Sequence, residues 1–114
     1  MIQQLFVYGT LAPGRLDEHV LEDVPGHWEP ATVRGELVQQ GWGAACGFPG
    51  IVLDENGPAV DGSVLSSEEV DQHWERLDDF EGEEYVRVLA PTRLSSGETV
   101  QAHVHSLRRA SAGR

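Results

Sequence analysis

The sequence predicts an α+β domain built on a strongly curved, mixed sheet that approaches a barrel. Three observations lead there. Short runs rich in β-branched and aromatic residues recur along the chain, about six in all, each closed by Gly, Pro, Asn or Ser. Only one long helical pattern stands among them, with one shorter candidate before it. The order of these elements has no βαβ rhythm, which argues against a doubly wound parallel sheet. The chain's 114 residues make one domain of ordinary size, expected over residues 1–106, with 107–114 as a flexible, basic tail.

Leu5-Phe6-Val7-Tyr8 reads as the first strand, stopped by Gly9-Thr10-Leu11-Ala12-Pro13-Gly14. Gly9 allows the backbone to turn sharply after the strand, and such a turn either is ordinary or gathers N–H groups into an anion-binding nest. Residues 16–24 suit a short helix capped by Asp17 and ended by Pro25-Gly26. Residues 28–38 alternate as a strand, bent at Pro30 or Gly35. Residues 39–50 form a glycine-rich loop whose Trp42 and Phe48 either line a pocket or plug the end of a sheet. Ile51-Val52-Leu53 is a short buried strand, and Asn56-Gly57 marks a positive-φ turn before the strand at 59–65, in which Gly62 signals a bulge or a close backbone approach. Residues 66–81 read as the main helix, started by a Ser66/Glu69 capping box. Strands at 85–92 and 99–106, joined by Ser95-Ser96-Gly97, complete a hairpin.

Apolar residues at 39% and charged residues at 24% suffice for a modest core and argue against a disordered chain. Acidic residues number 19 against 8 arginines, giving a net charge of −11. That balance disfavours nucleic acid and anionic membranes, both of which need basic patches. It is compatible with a small anionic ligand held by one local nest. No apolar run is long enough to span a bilayer and no export segment is recognisable, so no membrane partner is expected. Cys46 is the single cysteine, and the expected compartment is the cytoplasm. His103 and His105 share a strand face, but two ligands make no zinc site, and a solvated or partly buried pair is the expectation. The chain is read as a monomer or weak homodimer.

The main helix delivers a carboxylate. At about 100° per residue, Val70, Trp74 and Leu77 fall on one stripe, and one more step of four reaches Glu81. Asp71, Glu75, Asp78 and Asp79 fall elsewhere and can stay in water. A carboxylate at the end of an apolar stripe tends to a raised pKa. Alternatively the helix stops near Asp79, ahead of Gly82, and Glu81 belongs to a loop. Tyr85 and Arg87 share a face of the next strand. Tyr85 can offer a hydroxyl near Glu81. Arg87 reads as cross-strand or surface packing, with anchoring of an acidic neighbour as the other use.

Two stretches, LFVYGTLAPG at the start and LDDFEGEEYVR at 77–87, stand about seventy residues apart. Together with Gly35, the Phe48-Pro49-Gly50-Ile51-Val52 segment and Gly62, they resemble the gamma-glutamylcyclotransferase-like proteins over residues 5–105. The resemblance implies a compact mixed β-barrel of about six strands with one or two flanking helices. It implies that Tyr8, Gly9, Thr10 and Leu11 cradle a γ-glutamyl group, with Tyr85 nearby and Glu81 as the acid/base. The implied reaction forms 5-oxoproline and a free amine, on a γ-glutamyl amine, dipeptide or tagged metabolite, without a metal or organic cofactor. Leu37-Val38 and Val64-Leu65 stand where family members carry an aromatic, which touches packing, and the chain lacks the extra loops of longer members, which leaves the amine half open. Two other readings stand beside it: a small-molecule binding module that uses the Tyr8 to Leu11 cradle without turnover, and an interaction protein that works through its acidic surface and needs neither that cradle nor Glu81.

Overall fold

A computed structural model describes residues 2–8, 21, 24–38, 50–81 and 85–107, with the side chain of Glu81 outside the description. The expected first loop at 9–14, most of the short helix at 16–24, the glycine-rich loop at 39–49 with Trp42, Cys46 and Phe48, and the tail beyond Leu107 therefore lie outside the described residues. The elements run β1 (Gln3–Val7), β2 (His27–Val38), β3 (Gly50–Leu53), β4 (Ala59–Ser67), a 3-10 turn (Val70–His73), α1 (Trp74–Glu81), β5 (Tyr85–Leu94) and β6 (Thr99–Leu107).

Five strands close into a barrel in the order β2-β4-β1-β6-β5, and the ring is completed by Ala31 and Thr32 of β2 pairing with Leu94 and Arg93 of β5. The sheet is mixed because β1 and β6 run parallel, through Leu5↔His103 and Phe6↔Val104, while the other pairs are antiparallel. β3 lies outside the ring on the far end of β2, from Gly35↔Leu53 to Val38↔Gly50. The expected curved mixed barrel is therefore present, with five strands in the ring and one beyond it.

Alternation along the strands divides the core in two. Phe6, Val33, Ile51, Val64, Ala102 and Val104 fill the barrel side. Leu5, Val7 and Leu65 point the other way and are covered by Leu21, Val24, Val70 and Leu77. β1 is thus buried on both faces, which explains why its run of apolar residues is continuous rather than alternating.

Gly62 explains itself by a close approach. A Cβ there would collide with the Val7 carbonyl oxygen and with the Phe6 ring. Gly62→Ala is expected to cost about 1–3 kcal/mol through overpacking, visible as a lowered urea midpoint. An unchanged midpoint would show that β1 can back away from β4. The Asn56-Gly57 turn differs from expectation: Gly97, at φ +98°, is the positive-φ glycine among the described residues. The 54–58 turn is organised instead by Asp54, whose Oδ1 accepts from Asn56 N at 2.9 Å and whose carbonyl accepts from Gly57 N at 2.9 Å.

The start of the main helix is corrected as well. Ser66 and Ser67 remain in β4, paired with Gln4 and Gln3 of β1, and Ser66 also pairs with His27 of β2. Backbone pairing on two sides outcompetes a local cap, so no Ser66/Glu69 capping box forms. Ser67 Oγ accepts from Glu69 N at 3.0 Å, a 3-10 turn follows, and the α-helix begins only at Trp74. Val70 and Leu77 nonetheless both reach complete burial. The helix continues to Glu81 rather than stopping at Asp79.

Candidate active site

At one end of the barrel, the parts singled out in the sequence converge on β6. The Tyr8 hydroxyl, just past the end of β1, donates to the His105 carbonyl at 3.0 Å and accepts from Ile51 N at 3.0 Å. It bolts the start of β3 to β6. Ser106 Oγ adds a bond to the Ile51 carbonyl at 3.3 Å. Tyr85 is buried and opens β5 opposite Leu107. Its hydroxyl packs so closely on Gly50 that a Cβ there would lie 2.9 Å from it. The hydroxyls of Tyr8 and Tyr85 therefore border the same Gly50–Ile51 peptide. Gly9, Thr10 and Leu11 lie outside the described residues.

The outer face of β6 holds the helix. His105, 4% exposed, brings its Nε2 to 2.7 Å from Asp78 Oδ1 on α1. Arg87 on β5 adds Nε to the same oxygen at 3.0 Å and Nη2 to Oδ2 at 3.3 Å, a two-pronged ion pair. The guanidinium stacks 4.3 Å from the Trp74 ring centre, and its Nη1 lies 3.4 Å from His103 Nδ1. His103 Nε2 is 3.0 Å from Gln3 Oε1. Arginine can only donate, so His103 Nδ1 accepts, and its proton sits on Nε2 facing Gln3.

Asp78 reads from the wheel as able to stay in water, and its side chain does keep 42% exposure, but both of its oxygens are bound by Arg87 and His105. Arg87 was expected to be packing, and it is instead the anchor of that acid. The usable signal was the shared face of Tyr85 and Arg87, which put a cation beside the helix that ends in Glu81. Periodicity on the helix alone points Asp78 away from the apolar stripe, and the partner strands are not visible from there.

Burial opposes ionisation of Asp78, but the hydrogen bonds from Arg87 and His105, with their charges, outweigh it and hold its pKa below 3.8. Burial is also the largest influence on both histidines and pushes them below 6.5; Arg87 reinforces this at His103, and Asp78 opposes it at His105 without reversing it. Both are neutral in the folded protein near neutral pH. As pH falls below about 6.5 the unfolded chain takes up these protons first, so the associated stability is complete above that pH and is lost towards the lower folded values. The urea midpoint is expected to fall between about pH 7 and pH 5, and His103→Gln/His105→Gln to flatten that fall. An equally steep fall in the double variant would assign the pH dependence to other groups. Among the described residues, no group of three or more His, Cys, Asp or Glu is placed to hold a metal ion.

A family model described as gamma-glutamyl cyclotransferase, AIG2-like, matches residues 5–113. The chain belongs to that family. Solved structures that resemble this chain agree in fold. An AIG2-like protein from Mus musculus is 25% identical, with a TM-score of 0.74 over 94% of this chain and 78% of that one. A protein from Arabidopsis thaliana is 27% identical, with a TM-score of 0.70 over 94% of this chain and 69% of that one. YkqA from Bacillus subtilis is 26% identical with a TM-score of 0.70, and there the match covers 95% of this chain but 36% of the larger protein. A search of curated proteins found no match. Among the described residues, no helix is long and apolar enough to cross a membrane.

Proposed function

We propose that this family member is a cyclotransferase that converts a γ-glutamyl amine, dipeptide or tagged metabolite into 5-oxoproline and the free amine. Glu81 is the general acid/base, and Tyr8, Gly9, Thr10, Leu11 and Tyr85 surround the γ-glutamyl group. The observation that carries the reading is the convergence on His105. Its carbonyl receives the Tyr8 hydroxyl, and its ring grips Asp78, three residues before Glu81 on α1. Two motifs far apart in the chain thereby share one anchor.

The chemistry follows from the substrate. Its α-amine attacks its own γ-carbonyl, the C–N bond of the ring forms, and the bond to the leaving amine breaks. The step is intramolecular, so the protein's first task is to hold a bent conformer. The α-amine, with a pKa of about 8, is mostly protonated at neutral pH and must lose a proton before it attacks. Glu81 takes that proton and returns one to the leaving amine, so a single carboxyl serves both halves. The main-chain N–H groups of Gly9, Thr10 and Leu11 serve the anionic groups of the substrate. The Tyr8 hydroxyl is committed to two main-chain partners, so its share is to hold the end of β1 against β3 and β6.

A panel of γ-glutamyl amines, dipeptides and amides, assayed for 5-oxoproline, tests the reading. The wild type is expected to release 5-oxoproline and amine in equal amounts from at least one class, and Glu81→Gln none above background. Binding throughout the panel with no turnover would replace the enzyme with a binding module.

A further inference from the structure

We propose that Asp78 and Arg87 form a clamp that sets the rotation of α1 and so positions Glu81; the proposal rests on the cyclotransferase reading above. Neither residue acts on the substrate directly. Both act through the helix.

α1 cannot orient itself. It has eight residues, below the length at which an isolated helix is stable in water. Its C-terminal half carries Asp78, Asp79 and Glu81, and its last turn holds no base, so acids crowd the negative end of the helix dipole. Leu77 is completely buried beneath it, but apolar contact is non-directional and tolerates rolling. Asp78 supplies directional contacts: its two oxygens receive three bonds from two strands, at 3.0 and 3.3 Å from Arg87 and 2.7 Å from His105.

Arg87 is itself held on several sides. Trp74 covers its face at 4.3 Å, and His103, tied to Gln3, meets Nη1. Trp74 lies four residues before Asp78, so α1 grips one guanidinium with two side chains a turn apart. Two grips a turn apart oppose both sliding and rolling of the helix.

Glu81 follows Asp78 by three residues, about 60° round the helix and about 4.5 Å along it. A roll of about 10° moves a side-chain tip at a radius of about 5–6 Å by about 1 Å. A general base must lie within hydrogen-bond reach of the proton it takes, and an error of about 1 Å can cost about a hundredfold in rate. Cutting the clamp therefore affects turnover before it affects binding.

The experiment compares Asp78→Asn, Arg87→Gln, their double variant, and Asp79→Asn, an exposed acid on the same helix that serves as the charge control. For the substrate found by the panel, kcat is expected to fall about 10–100-fold in each clamp variant, with KM changed less than about threefold. The double variant should lose less than the product of the two single losses, because both changes remove the shared Asp78–Arg87 contact, while Asp78→Asn also weakens the bond from His105. Asp79→Asn should stay within about twofold of wild type. Amide hydrogen exchange is measured on the same samples, and lost protection confined to α1 is expected in the clamp variants. Clamp variants with a lowered melting temperature but wild-type kcat would overturn the proposal, as would losses that multiply in the double variant. Should the wild type release no 5-oxoproline, the cyclotransferase reading fails on its own. The clamp is then judged by exchange, where unchanged α1 protection in Asp78→Asn and Arg87→Gln overturns it.

Discussion

Glu81→Gln is expected to lower kcat/KM for 5-oxoproline release by about a hundred- to ten-thousand-fold while the fold stays intact. The substitution keeps the shape of the side chain and removes its ability to take and return a proton. Glutamine and glutamate have similar helix propensities, so the end of α1 is retained. Removing a negative charge from the last turn of a helix without a basic residue there should even stabilise slightly, by a few tenths of a kcal/mol. The expected signature is therefore a melting temperature unchanged or a little raised, with turnover lost. Melting curves and initial rates on the same preparation check it. A variant that keeps full activity removes Glu81 from the chemistry and leaves the substrate's own amine to be deprotonated by another group.

Leu77→Ala is expected to be the most damaging truncation on the helix, at about 2–5 kcal/mol. Leu77 is fully buried among Leu5, Val7, Leu21, Val24, Leu65 and Val70. These residues form the second core, between β1, β4 and the segments that cover them. Removing three carbon atoms there loses their transfer free energy and leaves a void that an eight-residue helix fills only by moving. For a domain of this size the loss corresponds to roughly 10–20 °C in melting temperature. Urea unfolding measures it, with the exposed Asp79→Asn as a reference expected within about 0.5 kcal/mol of wild type. A cost below about 1 kcal/mol would mean that α1 is carried by the Asp78 contacts rather than by burial. Leu77→Ala and the clamp variants thus separate what keeps α1 on the barrel from what sets its rotation.

The Asp78–Arg87 ion pair is only partly buried, with side-chain exposures of 42% and 24%. An exposed pair of this kind contributes about 0–1 kcal/mol, because water competes for both partners. His105, however, is almost fully buried and Trp74 covers the Arg87 guanidinium, so the Asp78 carboxylate meets a fixed set of donors. Its value lies in geometry more than in stability, which is why turnover is the informative readout.

The residues by themselves determined the local elements. Short runs of β-branched and aromatic residues marked β1, β4 and the β5–β6 hairpin, alternation marked β2, Gly62 marked a bulge or a close approach, and the spacing of Val70 and Leu77 marked the buried side of the helix. Such features depend on neighbours within a few positions, and propensity and turn chemistry act at that range. Two sequence motifs also marked the family. Tertiary structure decided what depends on distant partners. The ring closes through the β2–β5 pairing and the parallel β1–β6 pairing, neither of which leaves a local signature. Ser66 had every local reason to cap a helix, yet pairing with Gln4 and His27 kept it in a strand. Asp78 lay off the apolar stripe and read as solvated. Its partners stand on β5 and β6, and whether they meet it depends on how the helix is rolled on the sheet. A sequence period gives which side of a helix is apolar, but the angle at which that side docks is set only when both surfaces are present.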